Sequence, residues 1–192
     1  MSYADKLNRL VYIKFLISAA FSSLYPALPQ IEIIIKEYLS ALNLIESIAA
    51  IFTVRILIKS ITLSVTISYI IHFIIFIGMY ISILFSLYIG GKVISASVVS
   101  FMFIFSIWTM PLTEYSRRYE DDYIKDKKGL RVLRERRMSA GEIGGLFGSS
   151  LATLAVIAGL DVRTIAAIGV LPAAIGCIVA IIVIIRWGKL ED

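Results

Sequence analysis

The chain has 192 residues, of which 59% are hydrophobic, with a mean hydropathy of +0.88 and a formal net charge of +5. Soluble domains are about half apolar or less, whereas several windows here hold roughly 20 apolar residues with almost no charge, enough to cross a hydrocarbon core. These values exclude an ordinary soluble globular domain and imply an all-α, polytopic membrane protein.

The positive charge is read as loop bias, since Lys and Arg concentrate on the cytosolic side of membrane proteins, and nucleic acid is not expected as a partner. Cys177 is the single cysteine and His72 the single histidine. An internal disulfide is therefore excluded, and neither a metal site nor another cofactor is expected.

The N-terminal stretch 1–14 has basic residues but no long apolar run before Ser18-Ala19-Ala20. It reads as the cytosolic cap of a first membrane helix, Leu10 to Leu28, stopped by Pro26 and Pro29. Helix two is expected from Tyr38 to Ile58, and helix three from Thr62 to Phe85. Arg55 and Lys59 mark the turn between them, because Leu39 to Phe85 is too long for one span. Gly90-Gly91 breaks the chain before helix four, Val93 to Met110, which ends at Pro111.

A charged segment follows at 113–138. Nine of the nineteen Lys and Arg residues lie between Arg117 and Arg137. Tyr115, Tyr119 and Tyr123 recur every four residues, and Glu114–Arg118 and Asp121–Lys125 are acid-before-base pairs at helical spacing. An interfacial amphipathic segment interrupted at Gly129 is expected, with anionic lipid as its partner; a solvated linker is the alternative. Ser139 and Glu142 match the capping box at the start of helix five. Helix five runs from Gly141 to Ala158 and closes at Gly159. Helix six runs from Val162 to Ile185, with Pro172 in its middle.

Six spans place both termini on one side. That arrangement puts sixteen Lys and Arg on the terminal side and three, Lys36, Lys92 and Arg163, on the other. The expectation is one six-helix domain over residues 1–192, multi-pass in the cytoplasmic membrane, with both termini cytosolic.

Polar groups at membrane depth mark candidate function. Asn43, Glu46, Ser47 and Thr53 form a stripe on helix two, and His72 is central in helix three. Glu46 and His72 could form a proton-sensitive couple, or each could be satisfied locally. Pro172, flanked by Gly169 and Gly176, breaks the backbone ladder of helix six and marks either a gate or ordinary packing. Gly144, Gly145 and Gly148 permit close helix approach, within the chain or between two copies. No catalytic constellation is evident, so an enzyme is not expected.

Tyr25-Pro26 at the end of helix one and the run Gly144-Gly145-Leu146-Phe147-Gly148 resemble one six-helix half of a major facilitator superfamily transporter. So does the Ala158-Gly159 close followed by Asp161-Val162-Arg163. The acidic-basic loop of that family between helices two and three is absent; only Arg55 and Lys59 stand there. The resemblance implies a half-sized transporter of a small solute, completed by a second six-helix half or by a homodimer. A membrane anchor or assembly subunit, acting through the basic segment, is the alternative.

Overall fold

Ser2 opens the first helix because its hydroxyl accepts the Asp5 amide while the Asp5 carboxylate accepts the Ser2 amide. The computed structural model describes residues 1–24, 26, 64–89, 109 and 112–191, and all regular structure among them is helical. Its elements are α1 (Tyr3–Arg9), α2 (Val11–Ser23), α3 (Val65–Ile89), α4 (residues 112–123), α5 (Lys127–Ile157) and α6 (Val162–Trp187). Expected helix two, expected helix four apart from Thr109, the 55–59 turn, Gly90-Gly91 and Tyr25 lie outside the described residues.

Contacts divide the chain into two compact units. One comprises residues 1–29 and 124–190 with Asp192; the other comprises residues 30–123 with Glu191.

Among the described residues, three helices are long and apolar enough to cross a membrane: Val65–Phe85 of α3, and α5 and α6. In α3, the exposed Ile67, Ile74, Ile81 and Tyr88 are seven residues apart, so they form one bare apolar row. Phe73, Phe76, Tyr80 and Leu87 are buried. Helix α3 starts three residues later than expected because the Ser64 hydroxyl caps the Ile67 amide, and it ends four residues later, just before Gly90.

In the first unit, α5 and α6 form an antiparallel hairpin. Gly159, at φ 74°, closes α5: its amide donates to the Val156 carbonyl, and the Leu160 amide donates to the Ala155 carbonyl. These two bonds make a Schellman close, which glycine permits without a steric penalty. Asp161 then caps α6 by accepting from the Arg163 and Thr164 amides at 2.9 and 3.0 Å. Bare Leu146, Leu154, Ile157, Ile175, Ile182 and Ile185 face away from the buried seam of Ala152, Ala155 and Ile165.

Helix α2 lies against both members of the hairpin. Its 13 residues end with the Leu24 amide turned back to the Phe21 and Ser22 carbonyls, so the first apolar helix is shorter than the expected Leu10–Leu28. Leu10, at φ −95° and ψ 5°, separates α2 from α1. On the other side of the hairpin end, the Lys6 ammonium donates to the Lys189 carbonyl just beyond α6.

The start of α5 corrects the expected capping box. Ser139 and Glu142 lie inside a continuous 31-residue helix, and its N-cap is Asp126, whose carboxylate accepts the Gly129 amide at 2.8 Å. Gly129 therefore belongs to the first turn and does not interrupt the helix. The helix continues from Lys127 to Ile157 through Gly141, Gly144, Gly145 and Gly148, although glycine is a weak helix former, and Arg131 pairs with Glu135 at 2.9 Å along its exposed side. At about 1.5 Å per residue, α5 is roughly 46 Å long against a hydrocarbon core of about 30 Å. Its arginine-rich first turns must project beyond the apolar layer.

The other part of the charged segment, α4, stops at residue 123, so Asp121 and Lys125 do not share a helix. Glu114 accepts from Arg117 and Arg118, both through Nε at 3.0 Å, and these guanidinium donors hold its carboxyl below the usual glutamate range. Tyr119 and Tyr123 stack with ring centroids 5.3 Å apart.

Candidate solute groove

The glycines of α5 and α6 set how deeply α2 can sit. A Cβ on Gly144 would come within 2.3 Å of the Phe15 carbonyl oxygen, and one on Gly148 within 2.1 Å of the Ala19 carbonyl oxygen. These are backbone contacts, which no rotamer change can relieve. Gly145 sits at the side of the crossing, where a Cβ would meet the Ser22 hydroxyl at an ordinary 3.5 Å. On α6, a Cβ at Gly169 would overlap the Ser23 hydroxyl at 1.7 Å, and one at Gly176 would come 2.5 Å from a Leu16 methyl. Small residues on both long helices thus cradle α2, the usual route to close packing where lipid supplies no hydrophobic drive.

The order of contacts fixes the directions. Lys14, Phe15 and Ala19 meet Gly141, Gly144 and Gly148 in turn, so α2 runs parallel to α5. Leu16 and Ser23 meet Gly176 and Gly169, so α2 runs antiparallel to α6.

Where α2 ends, a groove of about 270 Å³ opens against α5. Ser22 and Pro26 form one wall. Ser149, Ala152, Thr153, Val156 and Ile157 form the other. The apolar part of α5 begins near Ala140, which places Ser149 at mid-span and Ile157 at the turn end. The groove therefore extends from mid-depth to the end opposite the basic turns. Its lining is mostly apolar, with three hydroxyls. Thr153 donates its hydroxyl hydrogen to the Ser149 carbonyl at 2.8 Å, leaving the Thr153 oxygen as an acceptor.

Of the sequence-derived pathway residues, His72 and Pro172 are among the described residues. Asn43, Glu46, Ser47 and Thr53 lie outside the described residues. His72 is half-buried in α3, edge-on to Phe76 with ring centroids 4.8 Å apart. Pro172 is exposed on α6, which remains helical through it. Ser22, Ser149 and Thr153 were not singled out as pathway residues from sequence. The available signal was the i, i+4 pair Ser149–Thr153 immediately after Gly148. Among the described residues, no group of three His, Cys, Asp or Glu side chains could hold a metal ion.

No family model matches the chain, and no curated protein and no solved structure matches it.

Proposed function

We propose that the protein carries a small solute across the cytoplasmic membrane, as a half-sized secondary transporter completed by a second copy or a second six-helix half. The observation supporting this reading is the groove at the end of the short α2, which brings three hydroxyls into an otherwise apolar membrane layer. Interrupted helices beside such clefts are a recurring way to expose backbone and side-chain polar groups to a solute. In this reading the basic turns of α5, the N-terminus and the C-terminus share the cytosolic side, and the groove opens toward the opposite side. Asn43, Glu46, Ser47 and Thr53 would line the rest of the pathway, with His72 as a proton-sensitive element and Pro172 as a loosened point of α6. No enzymatic step is involved.

The test is uptake of a panel of radiolabelled small solutes into proteoliposomes. Thr153→Phe fills the groove from an exposed position and should reduce uptake at least tenfold while thermal stability is retained. Equal uptake by the wild type, the variant and empty liposomes would contradict transport.

The basic projection of α5 favours a second reading, a membrane anchor or assembly subunit that binds a partner or anionic lipid through 113–138. Scrambling residues 127–138 would then abolish function, whereas Thr153→Phe would not.

A further inference from the structure

The polar groups of the groove at the end of α2 lean toward accepting hydrogen bonds. Thr153 gives its only hydroxyl hydrogen to the Ser149 carbonyl at 2.8 Å, so toward a solute its oxygen is an acceptor alone. Helix α2 adds its carbonyl end. It runs parallel to α5, so its carbonyls point from Ser22 toward the Ile157 end of the groove. The Ala20 carbonyl accepts the Ser23 hydroxyl at 2.8 Å, and the Phe21 carbonyl accepts the Leu24 amide at 3.2 Å. Each carbonyl keeps a second lone pair. The aligned peptide dipoles place about half a negative charge at this end of the helix. Pro26, on the same wall, has no amide hydrogen to set against it.

Charge and size narrow the occupant further. Among the described residues, no lining side chain is ionisable, and Ala152, Val156 and Ile157 make the wall apolar. An anion would meet the negative end of α2. A cation would leave its hydration for half a dipole charge, with no carboxylate among these residues to pair with it. The volume of about 270 Å³ lies just below the range of about 300–1,000 Å³ that holds drug-sized ligands.

We infer that the groove takes a small uncharged solute with O–H or N–H donors on one side and carbon on the other, the chemistry of a short polyol or a primary amide. One donor goes to the Thr153 oxygen, and the Ser22 and Ser149 hydroxyls can accept or donate beside it. This deepens the transport reading and rests on it for the role of the groove.

The test is solute protection of a single cysteine, Ile157→Cys, in the full chain with Cys177→Ala, reconstituted in liposomes. Ile157 lines the groove and is 76% exposed. Its labelling by a maleimide is timed with four solutes of nearly equal size: lactamide, lactate, 1-amino-2-propanol and N,N-dimethylacetamide. Lactamide should slow labelling in a saturable way. Lactate, the protonated amine and the donor-free dimethylacetamide should not. Thr153→Val should raise the half-protecting lactamide concentration roughly three- to tenfold, the worth of one hydrogen bond, and Thr153→Ser should restore it. Leu154→Cys, exposed but outside the groove, should show no protection.

Equal protection by lactate or by the amine would overturn the uncharged class, and equal protection by dimethylacetamide would overturn the need for a donor. Absence of protection by all four solutes, or equal protection of Leu154→Cys, would overturn solute binding in the groove. Protection by lactamide without uptake into proteoliposomes would contradict transport alone. Uptake of lactate but not lactamide would contradict the uncharged class and leave transport standing.

Discussion

Gly148 and Ala19 meet backbone to backbone: a Cβ added to the glycine would come 2.1 Å from the Ala19 carbonyl oxygen. Since the obstacle is main chain, the helices themselves must separate to accept a side chain. Gly148→Ala should destabilise the bundle by about 1–3 kcal/mol, the usual cost of overpacking. Gly145→Ala, three residues away with 3.5 Å of clearance, should be nearly neutral. Thermal unfolding of both variants in the same detergent separates the two cases, and equal loss would show that glycine flexibility, not close approach, matters here.

The opposite wall of the cradle supports a swap. Gly169→Ala collides with the Ser23 side chain, whose hydroxyl donates to the Ala20 carbonyl at 2.8 Å. Removing that side chain should make room. Gly169→Ala should therefore be destabilising alone and substantially rescued by Ser23→Gly, with a coupling of about 1 kcal/mol or more in a double-mutant cycle. Additive losses would mean that the two positions do not share this space.

Asp161 ties the start of α6 to solution pH. Hydrogen bonds from Thr164, and from the Arg163 amide, hold its carboxyl below the ordinary aspartate value of 3.8. A depressed folded-state pKa gives stability that is complete above the unfolded value and disappears as pH falls through the folded one. The amide shifts of Arg163 and Thr164 should titrate together with a midpoint below 3.8. Asp161→Asn should retain the cap and abolish the titration.

The continuous α5 makes an unusual contrast between two caps. Ser139→Ala should leave thermal stability unchanged within about 0.5 kcal/mol, as for an exposed helix-interior position. Asp126→Ala should lower helicity at the basic end, because the Gly129 amide loses its acceptor. If Ser139→Ala were the more damaging change, the helix would have to begin near Ser139 after all.

Several of these features could be read from the residues. Gly159 and Asp161 announce the hairpin turn because one supplies a left-handed backbone and the other a cap. The span of α6 follows from its unbroken apolar run. The start of α5 was misread because Ser139 and Glu142 satisfy a capping pattern by spacing alone. A pattern of that kind does not show that the backbone leaves the helix, and the preceding Leu130–Met138 stretch is itself a good helix former. The groove was hidden for a different reason. Ser22 and Ser149 are 127 positions apart, and only the glycine crossing brings them together.

The transport reading depends on α5 and α6 crossing a bilayer as a hairpin with their basic ends together. The direct measurement is labelling of single cysteines by a membrane-impermeant maleimide in right-side-out vesicles, in a Cys177→Ala background. Lys128→Cys and Lys189→Cys should label only after permeabilisation, whereas Leu160→Cys, in the hairpin turn, should label in intact vesicles. Identical accessibility at Lys128→Cys and Leu160→Cys would contradict the crossing.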